Sequence, residues 1–246
     1  MRFILNILVL LLGCSLTLAA ETVPVYRIEY GTYSGGNVKY YGANTWHNNV
    51  LIVSGSLMKE LNYMGSKPPK ANEPYKLYNG NQYWQVIITV NPPQTNFKSI
   101  TQYHPVNKAG GKEKYLKQAH DYKLKFVEGL HPVTNGKSAT VAGFACTGYS
   151  GKAKDGDLFE LYFSTDEKLF SMLNEIRTNT SGLANSFIMG AFFRHPEYGF
   201  LMKYHTIEDP ESGGGMNKVS QFQFTKIKAD VAEKEIFSLD GFKQMK

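Results

Sequence analysis

Residues 140–166, TVAGFACTGYSGKAKDGDLFELYFSTD, contain the pattern that decides the fold. Residues 140–150 and 158–163 are rich in aromatic side chains and mix them with polar ones in the manner of β-strands. The segment between them contains two glycines and is typical of a turn. The stretch therefore predicts two strands joined by a turn, followed by the start of a helix.

The same strand pattern recurs along most of the chain. Further strands are predicted at residues 25–30, 38–41, 50–53, 57–63, 75–78, 82–90, 122–127, 200–205 and 219–227. Asn79-Gly80 has the sequence of a tight hairpin turn and joins two of these strands. Residues 112–119 are predicted to form a short helix. Consecutive strands separated by turns favour an antiparallel sheet over a parallel one.

A helical period replaces the strand pattern after residue 163. Ser164 and Glu167 have the spacing of a capping box, which predicts Ser164 as the N-cap. Apolar residues then recur at the i, i+3, i+4 and i+7 positions of an amphipathic helix. A second helical segment is predicted after an interruption at residues 178–182. We therefore predict a mainly β (α+β) fold in which an antiparallel, strongly curved sheet wraps around a helical insertion.

Apolar side chains of the helices and of the facing strands form the candidate ligand site. The predicted pocket consists of Phe144, Phe163, Met172, Leu173, Ile176, Phe187, Ile188 and Phe192. Flexible Met and large Phe side chains can form an adaptable apolar pocket for a lipid, a lipidated protein or another hydrophobic ligand. The same residues can equally fill an ordinary core, and both interpretations stay open from the sequence.

The first twenty residues predict export. A single positive charge, an apolar run and small residues at positions 19 and 20 match a secretory signal peptide, which leaves residues 21–246 as one domain without a transmembrane segment. Cys14 lies in a lipobox-like context and offers the alternative of a lipid anchor. The expected location is periplasmic, outer-membrane-associated or secreted. Cys146 lies on a predicted strand and is expected to be a buried, inert thiol.

The chemical motifs of the sequence favour binding over catalysis. The six histidines show no metal-ligand spacing, and neither a cofactor motif nor a Gly-x-Ser-x-Gly element is present. Glu160 is expected to point outward from its strand. The formal charge of +6 is spread over scattered lysines, so we expect no nucleic-acid binding. We predict a protein that is not an enzyme and needs no metal or cofactor.

Four segments resemble exported bacterial domains of unknown function, among them the GLPGLI type. These segments are residues 140–146, 156–164, 198–204 and 238–245. The resemblance implies the half-barrel fold of the periplasmic lipoprotein carriers LolA and LolB, with a lipid or lipoprotein as a possible ligand. It brings no catalytic residues.

The chain departs from that family at two places. The GLPGLI hexapeptide is absent, and residues 195–201 stand in its place. Leu239-Asp240 replaces the usual proline near the end of the domain.

A second function is also compatible with the sequence. A filled domain can act as an interaction module of the cell envelope, with an aromatic surface that contacts a protein or a glycan. The aromatic residues considered for that surface are Tyr40, Tyr41, Trp46, Tyr83 and Trp84.

Overall fold

The protein is mainly β in the computed structural model. The structure describes residues 20–35, 47–64, 74–80, 82–88, 96–99, 121–154, 156–207, 219–240 and 243–244. The strands are β1 (Thr22–Gly35), β2 (His47–Ser54), β3 (Leu57–Met64), β4 (Tyr75–Asn79), β5 (Gln82–Ile88), β6 (Asn96–Ser99), β7 (Val133–Val141), β8 (Phe144–Lys152), β9 (Leu158–Ser164), β10 (Arg194–His195), β11 (Gly199–Ile207), β12 (Val219–Glu233) and β13 (Lys243–Gln244). The helices are α1 (121–130), α2 (Glu167–Asn179) and α3 (Gly182–Ala191), followed by a 3-10 helix at Lys234–Phe237.

The strands form one open sheet. Its order is β13-β6-β5-β4-β3-β2-β1-β12-β11-β9-β8-β7, with β10 paired to β11. Neighbouring strands are antiparallel except β13, which runs parallel to β6. The antiparallel sheet and the hairpin at Asn79-Gly80 confirm the sequence prediction. The predicted strand at 38–41 and the predicted helix at 112–119 lie outside the described residues.

The sheet bends around α2 and α3. Buried residues from every strand between β4 and β7 in the sheet order belong to one apolar cluster with these two helices, here called the α2–α3 cluster. In a flat sheet β4 and β7 would lie roughly 38 Å apart, at about 4.8 Å per strand. The curved sheet instead gathers these side chains around the two helices, as the sequence predicts.

A bulge in β12 contributes to this curvature. Tyr30 lies opposite Phe224 and Ile28 lies opposite Ile227, so Thr225 is the additional residue on β12. Residues three positions apart normally point to opposite faces of a strand. The bulge turns Phe224 and Ile227 to the same face, where both are buried in the α2–α3 cluster, and it increases the local bend.

Residues 122–127 are helical, so the strand predicted there is wrong. They belong to α1, which packs on the face of β9 that carries Phe159, Leu161 and Phe163. This second set of buried residues is called the α1 cluster. Leu124, Val127 and Leu130 recur at intervals of three and face this cluster, whereas the alternation of residues 122–126 imitates a strand.

The helix α2 begins two residues later than predicted. Its N-cap is Asp166, whose carboxylate accepts hydrogen bonds from the backbone N–H groups of Lys168 (2.8 Å) and Leu169 (3.4 Å). Ser164 is still part of β9 and is buried there. A carboxylate at the N-cap also interacts favourably with the positive end of the helix dipole.

Candidate functional site

The structure brings most of the predicted pocket residues together in the α2–α3 cluster. Leu173, Ile176, Ile188 and Phe192 are buried there, and Phe144 and Met172 pack against it as half-buried residues. Phe163 points to the opposite face of β9 and lies in the α1 cluster instead. The side chain of Phe187 lies outside the described residues.

The interface between the helices and the sheet is closely packed at the described positions. Ile176 is 0% exposed and Ile188 is 2% exposed. The Phe192 ring stacks on Phe224 with 4.5 Å between the centroids and 5° between the planes. Such burial has the character of a core whose side chains fill the space between sheet and helix.

A close backbone approach holds α3 against the sheet. Gly182 begins α3 with φ 60° and lies on the hairpin turn at Gly80. A Cβ atom at position 182 would overlap with the Gly80 carbonyl group. Only glycine combines this backbone angle with the lack of a side chain.

An exposed aromatic and arginine surface lies beside the buried interface. Arg194 and Phe200 are directly opposed in the β10–β11 pair. The Arg194 guanidinium lies 4.7 Å from the ring centroid of Phe170 and 5.8 Å from that of Phe200. Phe170 projects from the first turn of α2 and is 40% exposed. These three side chains are called the Arg194 patch.

The guanidinium of the Arg194 patch forms no ion pair with the residues that the structure describes. Its central carbon lies over both rings, and within the described ranges no carboxylate lies within 4.0 Å of it. Arginine and phenylalanine are enriched at protein interfaces, and stacked guanidinium groups retain their ability to bind carboxylates. The patch therefore has the composition of a contact surface.

The strand β9 also buries a charged cluster, which corrects the expectation that Glu160 points outward. Glu160 is 6% exposed. Its carboxylate accepts hydrogen bonds from Lys137 Nζ at 2.6 Å and from Asn135 Nδ2 at 3.2 Å, and it lies 3.2 Å from His205 Nε2. Gly148 permits this approach, because a Cβ there would lie 2.6 Å from Asn135 Oδ1.

The charges around Glu160 shift two pKa values. Burial alone would raise the pKa of Glu160, but hydrogen bonds and charges from Lys137, Tyr162 and His205 lower it below its usual value. Burial lowers the pKa of His205, the charge of Glu160 raises it, and Lys203 and Lys137 lower it further, with a net decrease. The arrangement favours an ionised glutamate beside a neutral histidine.

A second buried carboxylate lies near the other end of the sheet. Glu60 accepts hydrogen bonds from the Tyr78 hydroxyl group and from Asn62 Nδ2 at 2.9 Å, and Lys76 Nζ lies 3.7 Å away. Burial, with a smaller contribution from the charge of Glu60, raises the pKa of Tyr30 to about 12. Both buried carboxylates thus have hydrogen-bond partners on the sheet: those of Glu160 include β7, two strands away, and those of Glu60 lie on β3 and β4.

Cysteine and metal chemistry give no separate site. Cys146 is buried as expected, and burial is the main cause that raises the pKa of its thiol to about 11. In the part of the chain that the structure describes, no three His, Cys, Asp or Glu side chains group as metal ligands would. None of the helices in the described ranges has the length and apolar character needed to cross a membrane.

Most of the aromatic surface considered from the sequence is not tested by the structure, and the Arg194 patch is an exposed aromatic site that the sequence did not predict. Tyr40, Tyr41, Trp46 and the side chain of Tyr83 lie outside the described residues, and Trp84 is half-buried against Tyr75, Leu77 and Val86. The Arg194 patch was not predicted because Phe170 lies beside the apolar stripe of α2 and is not part of it. The sequence indicates the patch only through Arg194 and Phe200, which lie six positions apart on either side of a turn.

Comparisons with known proteins reveal only remote similarity. No protein-family model and no curated protein sequence matches the chain, so the resemblance to the GLPGLI type is not confirmed. Two crystal forms of PNGF-II align with 91% of this chain and 31% of their own at 10% identity, with TM-scores of 0.33 and 0.34. The MucA/MucB complex of Pseudomonas aeruginosa aligns with 87% of this chain and 55% of its own at 10% identity and a TM-score of 0.37. The chain spans less than two thirds of each of these structures, and TM-scores this low do not establish a shared fold.

Proposed function

We propose that the protein is an exported, non-enzymatic binding module of the cell envelope that contacts a protein partner through the Arg194 patch. The observation that carries this proposal is a guanidinium that lies over two aromatic rings, one of them 40% exposed, and that forms no ion pair among the described residues. The filled interface beneath α2 supports a contact at the surface over a ligand inside the domain.

The geometry of the patch defines the chemistry of the partner. The edge of Arg194 fits a carboxylate, which binds a guanidinium through paired hydrogen bonds. The adjacent ring of Phe170 fits an apolar side chain. The partner is therefore a protein segment that presents an acidic residue next to an apolar one.

Site-specific cross-linking tests this proposal. A photo-reactive phenylalanine analogue replaces Phe170 in one variant and Tyr122, a 76% exposed residue on α1, in the control. Both variants are irradiated in envelope preparations of the source cell, and the products are identified by mass spectrometry. We expect a discrete product from position 170 that position 122 does not form.

The dissociation constant of the complex with the purified partner then tests whether the Arg194 patch contributes to binding or is only close to the cross-linked partner. Arg194→Ala is expected to weaken binding about tenfold or more, because arginine is frequent among energetically dominant contacts. Lys168→Ala, an exposed cation on the same helix as Phe170, is the matched control and should leave the dissociation constant unchanged. Equal affinities of Arg194→Ala and the native protein would exclude the patch as the contact.

A second function rests on the half-buried edge of the helix–sheet interface. Phe144 and Met172 are half-buried, whereas Leu173, Ile176, Ile188 and Phe192 in the same cluster are buried. A lipid, the acyl chain of a lipoprotein or another hydrophobic ligand would enter beside them and separate α2 from the sheet.

Uptake of a fluorescent fatty acid by the delipidated protein tests this second function. Met172→Glu should abolish uptake, whereas Ser171→Glu, at an exposed neighbouring position, should retain it. Absence of uptake by the native protein rules this function out.

Export is part of the proposal and has its own test. Processing of residues 1–20 predicts a mature protein that begins at Glu21. Mass spectrometry of the protein from its native cell distinguishes this product from a chain that begins with a lipid-modified Cys14. Retention of the first twenty residues in the mature protein contradicts export by either route.

A further inference from the structure

A cleft on the opposite side of β3 from the α2–α3 cluster has no role in the function proposed above. Met58 on β3 is buried in that cluster, and the next residue, Lys59, points to the other face. There a cleft of about 420 Å³ lies between the sheet and the segment that follows β12. It is lined by Lys59, Tyr75, Glu233, Glu235, Ile236, Ser238 and Asp240.

The sheet side of the cleft presents the cation of Lys59. Lys59 Nζ lies 4.0 Å from the centroid of the Tyr75 ring. Among the described residues, no carboxylate lies within 4.0 Å of this ammonium group. Lys59 is half-buried, and burial lowers its pKa, so the charge is partly removed from water without a compensating ion pair.

The opposite wall presents three carboxylates. Glu233 precedes the 3-10 helix and Glu235 lies in its first turn; both are exposed, and neither forms an ion pair within the part of the chain that the structure describes. Asp240 accepts a hydrogen bond from Ser238 Oγ at 2.6 Å. The cleft thus has a positive side and a negative side, and among the described residues no ion pair within 4.0 Å joins them.

We infer that this cleft binds a zwitterionic group whose carboxylate or phosphate pairs with Lys59 and whose ammonium pairs with Glu233 and Glu235. A ligand that carries both charges is attracted by both sides of the cleft. An anion or a cation alone is attracted by one side and repelled by the other. The volume is within the range of small-molecule sites. Free amino acids and phosphoethanolamine headgroups share this chemistry.

Calorimetric and NMR titrations of the full chain test the inference. The probes are L-alanine, phosphoethanolamine and vesicles of phosphatidylethanolamine, compared with sodium acetate and methylammonium chloride at the same ionic strength. We expect a zwitterionic probe to bind at least about tenfold more tightly than either single ion. Binding of alanine identifies free amino acids as the source, and binding of phosphoethanolamine or vesicles without alanine identifies the headgroup.

Three variants locate the binding. Lys59→Met removes the cation and keeps the aliphatic stem, and Glu235→Gln removes one carboxylate at an exposed position. Each should weaken the zwitterion about tenfold or more, and Lys168→Met, an exposed lysine on α2, should have no effect. If neither Lys59→Met nor Glu235→Gln weakens binding, or if no zwitterionic probe binds, the inference is wrong. The Arg194 patch shares no residue with the cleft, so failure here leaves the proposed partner contact untouched.

Discussion

The α2–α3 cluster and the α1 cluster lie on opposite faces of β9 and β11 but are built in different ways. In the first, a bent sheet surrounds two helices, and the nine strands from β4 to β7 in the sheet order each contribute a buried side chain. In the second, one short helix covers a limited area around β9. Tyr162 on one face of β9 belongs to the first cluster, and Phe163 on the other face belongs to the second.

The comparison shows that β9 is covered by buried side chains on both of its faces. Six of its seven residues are buried, in the pattern of a strand that is covered on both faces. An antiparallel strand with one wet face alternates between buried and exposed residues instead. Coupling between the clusters through β9 predicts that damage to either of them destabilises the whole domain.

Truncation in the α1 cluster should have the largest effect. Phe163 is 1% exposed, and Phe163→Ala is expected to lower the free energy of unfolding by about 3–5 kcal/mol through lost burial and a new cavity. Urea unfolding followed by circular dichroism measures the change. Phe170→Ala, the same substitution at a 40% exposed ring, is the control and should cost about 1 kcal/mol or less. A small loss at Phe163 would mean that the α1 cluster is peripheral.

Truncation in the α2–α3 cluster tests whether the helices fill a core. Ile176→Ala should lower the free energy of unfolding by about 2–5 kcal/mol, because Ile176 is 0% exposed. Ser171→Ala at an exposed position of the same helix should change it by less than about 0.5 kcal/mol. A nearly neutral Ile176→Ala would instead favour a loosely packed interface with room for a ligand.

Acidification probes the charged cluster on β9. The pKa of His205 is below its ordinary value of 6.5 in the folded protein, so the unfolded chain binds more protons below that pH. Stability is therefore complete above pH 6.5 and decreases as the pH falls towards the folded-state pKa. The lowered pKa of Glu160 causes a further decrease below its ordinary value of 4.5.

Unfolding in urea between pH 8 and pH 4 measures this dependence, which should be smaller than the effect of either truncation. His205→Gln keeps a donor towards Glu160 and is expected to remove the upper part of the decrease. His47→Gln, at an exposed position of β2, should retain it. An unchanged profile in His205→Gln would show that other groups control the pH response.

Removal of the exposed cation should have the smallest effect on stability. Arg194→Ala loses cation–π contacts at a solvent-exposed site and should lower the free energy of unfolding by about 0.5–1 kcal/mol. A loss well above this range, in the same urea assay, would assign Arg194 to the core and weaken the case for a contact surface.

Local patterns in the sequence were sufficient to predict the curved antiparallel sheet and its helical insertion. The apolar spacing from Leu169 to Ile176 identified α2, and Asn79-Gly80 identified a hairpin. The N-cap was misplaced because Ser164 and Asp166 are both good caps, and tertiary burial of Ser164 decides between them. Helix α1 was missed because its short apolar run fits both periods.

The features around the site were harder to predict because they depend on distant residues. Glu160 can be buried because it has charged and polar partners on other strands. These partners, Lys137 on β7 and His205 on β11, lie 23 and 45 positions away in the sequence. The position of Phe163 depends on α1, a helix that the sequence did not indicate. The Arg194 patch requires the turn between β10 and β11 to bring two side chains under the tip of α2.

The ladder between β1 and β12 has a consequence for biogenesis. It pairs Thr22 with Glu233, so the edge of β1 that binds β12 stays unpaired until β12 has been synthesised. At about 5–20 residues per second, that delay is roughly 10–40 s. A bare strand edge is a template for stacking by other chains. Incomplete chains that end before β12 are therefore the species from which aggregates of this protein should start.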